Sequence, residues 1–241
     1  MDQPRLSVII PAYNESSRII PTIERITQYL ASRKITYELL VVDDGSSDGT
    51  DKTIQKLAQA DDSIRLLRNE INKGKGNAVK RGVVSSWGEL VFFTDADLST
   101  PIEEIEKFLP EFPAYDVVIG SRSIEGADVR LREPLYREIL GKTFNKFAQA
   151  ACVPGIVDTQ CGAKMFKKDV AQRIFPLVQT SRFAFDVEVL FLAMQFGYKI
   201  KEIPIRWFYS ANTRVRTFLD GPKMLWDIFR IRSIHRGTKW R

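Results

Sequence analysis

Histidine is almost missing from this chain: His235 is the sole example in 241 residues. That excludes an HExxH zinc site, a Ser-His-Asp triad with a workable partner and a two-histidine facial triad. His235 falls in a basic tail and reads as a surface residue. Cysteine is scarce too. Cys152 and Cys161 stand outside any CxxC spacing, so neither a disulfide scaffold nor a zinc site is expected, and a reducing compartment is. Long apolar runs are lacking: the best, "VEVLFLAMQFGY", contains Glu188 and meets Gly197 within about a dozen residues, short of the roughly 18 that span a bilayer. The opening "MDQPRLSVII" has no basic segment followed by an apolar core of signal-peptide type. A soluble or peripheral protein on the cytoplasmic side of a membrane is the resulting expectation.

What is present is an ordinary globular composition, 44% hydrophobic and 27% charged, without repeats or low-complexity segments. Short apolar runs, "LSVII" (6–10), "ELLVV" (38–42), "IRLLR" (64–68), "ELVFFT" (89–94) and "YDVVIG" (115–120), alternate with helical spacings such as Ile20, Ile23, Ile26 and Leu30. This rhythm predicts an α/β fold, a mostly parallel central sheet flanked by helices. In such sheets ligands sit beyond the carboxyl ends of the strands. That is where "PAYNE", "DDGSSDGT", "NEINKGKG" and "DADLS" fall, four polar or glycine-rich loops expected to share one cleft.

Past residue 120 the rhythm breaks. A helix is predicted over 135–151, a short strand within "DTQCGAKMFKK", a buried helix at "DVEVLFLAMQF" and a strand interrupted at Pro204. The boundaries expected are a catalytic domain over 1–216 and a basic amphipathic tail over 217–241. The net charge of +6 is matched by residues 214–241 alone. In the tail Phe218, Met224, Leu225, Ile228, Phe229 and Ile231 fall near one face, with Arg230, Arg232 and Arg236 alongside. Such a helix either lies on an anionic membrane surface or packs back onto the domain. Nucleic-acid binding would rest on this tail alone and is not expected.

The motif richest in chemistry is "TDADLSTP". In an extended segment Asp95 and Asp97 point to one side, so two like charges need something positive between them. A hard cation held by one or two carboxylates plus phosphate oxygens meets that need; a solvated, helix-capping turn is the alternative. Asp43 and Asp44 are adjacent, so one of them is expected to face a ligand, where it can accept from a ribose hydroxyl or a base N–H. Tyr13 offers a stacking surface and Glu15 an acceptor. "NKGKGNAVKRG" is not a Walker A loop, and a GxGxxG reading fails at Val79. It still places Lys73, Lys75 and Arg81 near a possible pyrophosphate, with Gly74 and Gly76 permitting close approach.

In order and spacing, "SVIIPAYNE", "VVDDGSSDGT", "NKGKGNAVKRG", "TDADLSTP", "GSR" and "DTQCGAKMF" resemble the family 2 inverting glycosyltransferases of the GT-A fold, nearest to the dolichyl- or polyprenyl-phosphate sugar transferases. The resemblance spans residues 5 to about 232. It implies a nucleotide-diphosphate sugar donor bound by Pro11, Tyr13, Glu15 and Asp44, with Asp43 in support and Lys75 and Ala96 alongside. Asp95 and Asp97 would hold Mg²⁺ or Mn²⁺ against the diphosphate. Arg122 of "GSR" and Arg137 would contact phosphates, and Asp158, Gln160 and Cys161 would line the acceptor or sugar side. The mannosyl branch typically reads DADLQ and carries a DxTS-type motif; Ser99 and "DTQCG" depart toward the glucosyl branch and UDP-glucose. No membrane anchor of the kind that opens the eukaryotic glucosyl enzymes is read here.

The implied reaction is a single inverting displacement by a polyprenyl or dolichyl phosphate. With a second pKa of about 6, a phosphate acceptor is already an anion and needs no base. A hydroxyl acceptor would need one, and Asp158 would be the candidate. A GDP-mannose donor, a saccharide acceptor, and a nucleotide-sugar-binding protein without turnover stay open as alternatives.

Overall fold

The computed structural model describes residues 3–130, 134–209 and 217–235, the side chains of 217–220 excepted. The Phe218 side chain and Arg236, expected on the tail helix, lie outside what is described.

The first half builds as the alternation predicts. Strand β1 (Leu6–Ala12), β2 (Tyr37–Asp43), β3 (Ile64–Arg68) and β4 (Leu90–Phe93) alternate with helices α1 (Ile19–Ser32), α2 (Thr50–Ala60) and α3 (Lys75–Val84). The strands pair in parallel, β3-β2-β1-β4, with Ile9 beside both Leu40 and Phe93. They are continuous apolar runs because helices cover both faces. Alternation then divides the side chains: Ile9, Val42 and Phe93 join one core, and Val8, Ile10 and Phe92 the other. Phe93 packs within about 6 Å of the Phe166 and Phe185 rings. Burial of each such ring stabilises by about 1.5–3 kcal/mol.

The second half completes the sheet with β5 (Val117–Ser121), β7 (Lys164–Lys167) and β8 (Ile200–Pro204), in the overall order β3-β2-β1-β4-β7-β5-β8. β7 runs antiparallel between β4 and β5. It turns the segment 157–163 back to the sheet edge that carries Asp95. Two short strands, β6 (Asp128–Arg130) and β9 (Arg206–Phe208), pair apart from it. A short helix α4 (Ile105–Phe108) follows β4, and α5 (Leu135–Ala151), α6 (Lys168–Ile174) and α7 (Phe185–Gln195) cover the faces.

The tail helix α8 (Thr217–Ile234) packs against α5 and α7 through the fully buried Ile228 and Ile231. Its apolar residues do not share one face as expected: Phe229 is 62% exposed and Trp226 70%. At its end the surface reading of His235 is overturned. The imidazole is buried, with Nε2 at 2.7 Å from Glu188 Oε1. Glu188 lies in the first turn of α7, fully buried, and a buried carboxylate needs partners. It also accepts from the backbone N–H groups of Gln179 and Thr180 and from the Thr180 hydroxyl. Both cysteines are free and buried. No helix among the described residues is long and apolar enough to cross a membrane.

Candidate active site

The loops after β1 to β4 meet at the carboxyl edge of the sheet, around a cleft of about 1370 Å³. Each is tied to the next. The Asn14 N–H donates to Ser46 Oγ and the Glu15 N–H to Thr50 Oγ1, joining "PAYNE" to "DDGSSDGT". Asp44 accepts from Asn69 Nδ2 at 2.7 Å and from the backbone N–H groups of Lys73 and Gly74 at 3.0 and 2.7 Å. It thereby clasps the third loop to the second. Gly45, at φ +76°, lies so close to Ile71 that a Cβ would come within 2.6 Å of its carbonyl carbon.

Of the residues singled out in the sequence, Pro11, Tyr13, Glu15, Asp44, Lys75, Asp95, Ala96, Asp97, Arg122, Arg137 and Gln160 line this one cleft. Asp43 and Asp158 do not. Asp43 lies beneath the second loop, accepting from the Ser46 N–H with Arg68 at 3.5 Å; burial pushes its carboxyl above the usual range. Arg81 turns away to donate to Asn69 Oδ1.

The "TDADLS" turn is shaped by Leu98 at φ +47°, whose N–H donates to the Asp95 carbonyl, and by the Ser99 N–H donating to Asp97 Oδ1. The sequence argument asked for a cation between the two acids. The protein supplies cations of its own: Lys75 Nζ stands 2.5 Å from Asp95 Oδ1, and Arg18 Nη1 stands 4.0 Å from Asp97 Oδ2. Burial works against the Asp95 carboxylate, but Lys75 outweighs it and holds the carboxyl below its usual range. Arg18 also pairs with Glu15. A further buried pair, Lys164 with Asp186 at 2.5 Å, lies behind, and burial pushes the Asp186 carboxyl up.

The donor set suits a hard divalent cation. It is all oxygen, with neither thiol nor imidazole, and Asp97 Oδ2 has its nearest guanidinium beyond hydrogen-bond length. Among the described residues no group of three or more His, Cys, Asp or Glu side chains gathers to hold an ion unaided. Such an ion would take one or two carboxylates here and the rest of its oxygens from a ligand.

Arg122, at the end of β5, is held from behind. Asp158 accepts from its backbone N–H at 2.9 Å, Nε at 2.7 Å and Nη2 at 2.9 Å. The Trp207 ring lies 5.2 Å from the guanidinium carbon. This corrects the reading of Asp158 as a base. It is fully buried outside the cleft, and Arg122 overcomes the burial that would raise its carboxyl and brings it down to about 2. Cys161 is also displaced from its expected place: it is wholly buried, its thiol pushed up to about 11 by burial, and its carbonyl accepts from Lys164.

The sequence reading missed several cleft residues. Arg18 carries a signal, being three residues from Glu15 at the start of a helix. Arg182, Asp186, Trp207 and Tyr209 arrive from the second half, where no motif marked them. The lining is completed from α5 and α8, which add the apolar Leu140, Phe144, Met224 and Leu225 beside Arg137 and Thr143.

Residues 7–175 match the sequence model described as Glycosyl transferase family 2. The chain is 37% identical over 254 residues to the dolichyl-phosphate beta-glucosyltransferase of Dictyostelium discoideum, an alignment covering 100% of this chain and 78% of that one. To the human dolichyl-phosphate beta-glucosyltransferase it is 34% identical over 251 residues, covering 98% and 78%. Its fold is similar to that of glucosyl-3-phosphoglycerate synthase from Mycobacterium tuberculosis, solved with Mn²⁺, UDP and glucosyl-3-phosphoglycerate. That likeness has a TM-score of 0.66 at 17% identity, over 96% of this chain and 80% of that one. On the family match and these relatives together, the chain is a glycosyltransferase and belongs to glycosyl transferase family 2.

Proposed function

We propose that the protein transfers glucose from UDP-glucose, with inversion and with the help of Mg²⁺ or Mn²⁺, to the phosphate of a dolichol or another polyprenol. The observation that carries the choice of acceptor is the state of the cleft's carboxylates. Glu15 is paired with Arg18, Asp95 with Lys75 and Asp186 with Lys164, while Asp44 is committed to three donors. Asp97, together with Asp95 once its lysine is displaced, is assigned to the cation. Among the described residues of the cleft that leaves no carboxylate to deprotonate a hydroxyl, whereas a phosphate monoester attacks as the anion it already is. The names of the relatives support the same sugar and acceptor.

The nucleoside is assigned to Pro11, Tyr13, Glu15 and Asp44, and the phosphates to Lys75, Arg122, Arg137 and Arg182 around the same cleft. Arg122 is fixed by Asp158, so its charge is in place before charge develops on the departing diphosphate. A bound divalent cation would supply further neutralisation of that leaving group.

A lipid acceptor calls for a membrane surface at the side of the cleft lined by α5 and α8. There α5 exposes Leu135, Ile139 and Phe147 and α8 exposes Trp226 and Phe229, with Lys142, Lys146, Lys223 and Arg230 on the same two helices. Apolar side chains flanked by basic ones suit an anionic bilayer surface, the cytoplasmic face being the expected one. Purified protein incubated with UDP-glucose or GDP-mannose, polyprenyl phosphate or a free sugar, with Mn²⁺ or EDTA, tests the chemistry. Metal-dependent glucosyl transfer to the lipid is expected, and turnover in EDTA or transfer to the free sugar alone would sink the assignment. Flotation with anionic vesicles, with and without Ile139→Asp and Phe229→Asp, tests the surface.

A further inference from the structure

We propose that Lys75 is an exchangeable counter-ion, which keeps Asp95 from receiving a divalent cation until a nucleoside diphosphate is present. The inference rests on the metal role just given to Asp95 and Asp97, and goes beyond it to the order in which ligands enter.

Three observations carry it. Lys75 Nζ sits 2.5 Å from Asp95 Oδ1, the place of the cation itself. On the other side Asp95 Oδ2 is pressed against Gly162, where even a Cβ would come within 2.0 Å. Asp95 is therefore closed on its Oδ2 side by Gly162 and met on its Oδ1 side by the ammonium, with 36% of the side chain still exposed. Finally, no set of three or more ligating side chains is gathered among the described residues, which offer an ion here Asp95 and Asp97, the first of them already paired. A divalent ion approaching alone would meet a fixed positive charge at close range, with too few protein oxygens to replace the waters it carries.

A diphosphate removes both obstacles. Its oxygens complete the ion's coordination, and they give Lys75 a new anionic partner. Lys75 is the first residue of α3 and lines the cleft, so its flexible stem can swing from Asp95 to a phosphate without backbone movement. Charge is conserved throughout: the Asp95–Lys75 and cation–diphosphate pairs become Asp95–cation and Lys75–diphosphate. No proton moves. Burial would lower the Lys75 ammonium, yet Asp95 and Asp186 together hold it above its ordinary value where it stands. Asp186 also lines the cleft, so the ammonium feels a second negative charge while it changes partners.

The test is Mn²⁺ binding, followed by the loss of the free-ion EPR signal, with UDP and without it and corrected for Mn²⁺–UDP in solution. Wild type is expected to bind Mn²⁺ at least about tenfold more weakly without UDP than with it, and Lys75→Met to bind Mn²⁺ alone at least about tenfold more tightly than wild type. Lys75→Arg, which keeps the charge, is expected to keep the UDP dependence. Equal wild-type affinity with and without UDP would overturn the inference, as would a folded Lys75→Met with unchanged affinity for Mn²⁺ alone. If Lys75→Met does not fold, the wild-type ratio and the arginine variant decide. Asp97→Asn separates the two levels: if it leaves Mn²⁺–UDP binding intact, the metal reading falls and this inference with it.

Discussion

Asp158 grips Arg122 at three points, the backbone N–H, Nε and Nη2, all within 2.9 Å, and gives none of its surface to the cleft. The pair joins the end of β5 to the segment leading into β7, and Glu202 of β8 reinforces it by accepting from the N–H groups of Val157 and Asp158. Asp158→Asn is expected to destabilise the protein by about 3 kcal/mol, since it removes the buried charge that holds the guanidinium at three points. It is also expected to lower kcat, while leaving in place the acid limb of the pH–rate profile. A general base at this position would instead lose that limb, so the profile distinguishes positioning from proton transfer.

The same pair sets a pH window. In the folded protein Asp158 lies at about 2, against an ordinary 3.8. A carboxyl lowered by folding contributes stability that is fully present above its unfolded value and is lost as pH falls through the folded one. Urea midpoints measured between pH 5 and 2 are therefore expected to fall for wild type as acid is added below about pH 4. Asp158→Asn, which has already lost the pair, should fall less steeply over this interval; parallel curves would refute the assignment.

His235 ties the end of α8 to the first turn of α7. Glu188 keeps its three other donors in His235→Ala, but loses one hydrogen bond and gains a void beside Phe191. A loss of about 1–3 kcal/mol is expected in denaturant titration, with faster amide exchange over 221–235 than over β1. Equal exchange in both variants would mean that α8 is held by Ile228 and Ile231 alone.

The contrast between this residue and the four loops shows what a sequence can carry. β1 to β4 were legible because each is a buried run closed by turn formers, and the parallel sheet brings their ends together. Asp43 and Asp95 needed only local alternation to be placed near that edge. The charge partners were not legible. Lys75 and Asp95 are twenty residues apart, Arg122 and Asp158 thirty-six, and His235 and Glu188 forty-seven. Lys75 meets Asp95 through the parallel order β3-β2-β1-β4, and the other two pairs exist only because the second half folds as it does. The reversal of β7 between β4 and β5 brings Gly162 against Asp95, and nothing in "DTQCGAKMF" announces its direction.

Gly162 offers the sharpest test of how closely Asp95 is held. Its backbone is not in the left-handed region, so alanine is permitted there conformationally. A Cβ would nevertheless fall 2.0 Å from Asp95 Oδ2 and 2.7 Å from its carboxyl carbon. Two atoms cannot share that space, so the carboxylate has to rotate or the 161–163 backbone has to retreat. In either case the Lys75–Asp95 pair is displaced, and a shift of about 1 Å in a catalytic constellation costs on the order of a hundredfold in rate. Gly162→Ala is expected to retain its fold by circular dichroism, to lose about that factor in glucosyl transfer and to bind Mn²⁺–UDP more weakly. A folded variant with wild-type turnover and Mn²⁺–UDP affinity would show that the position of Asp95 does not govern the site.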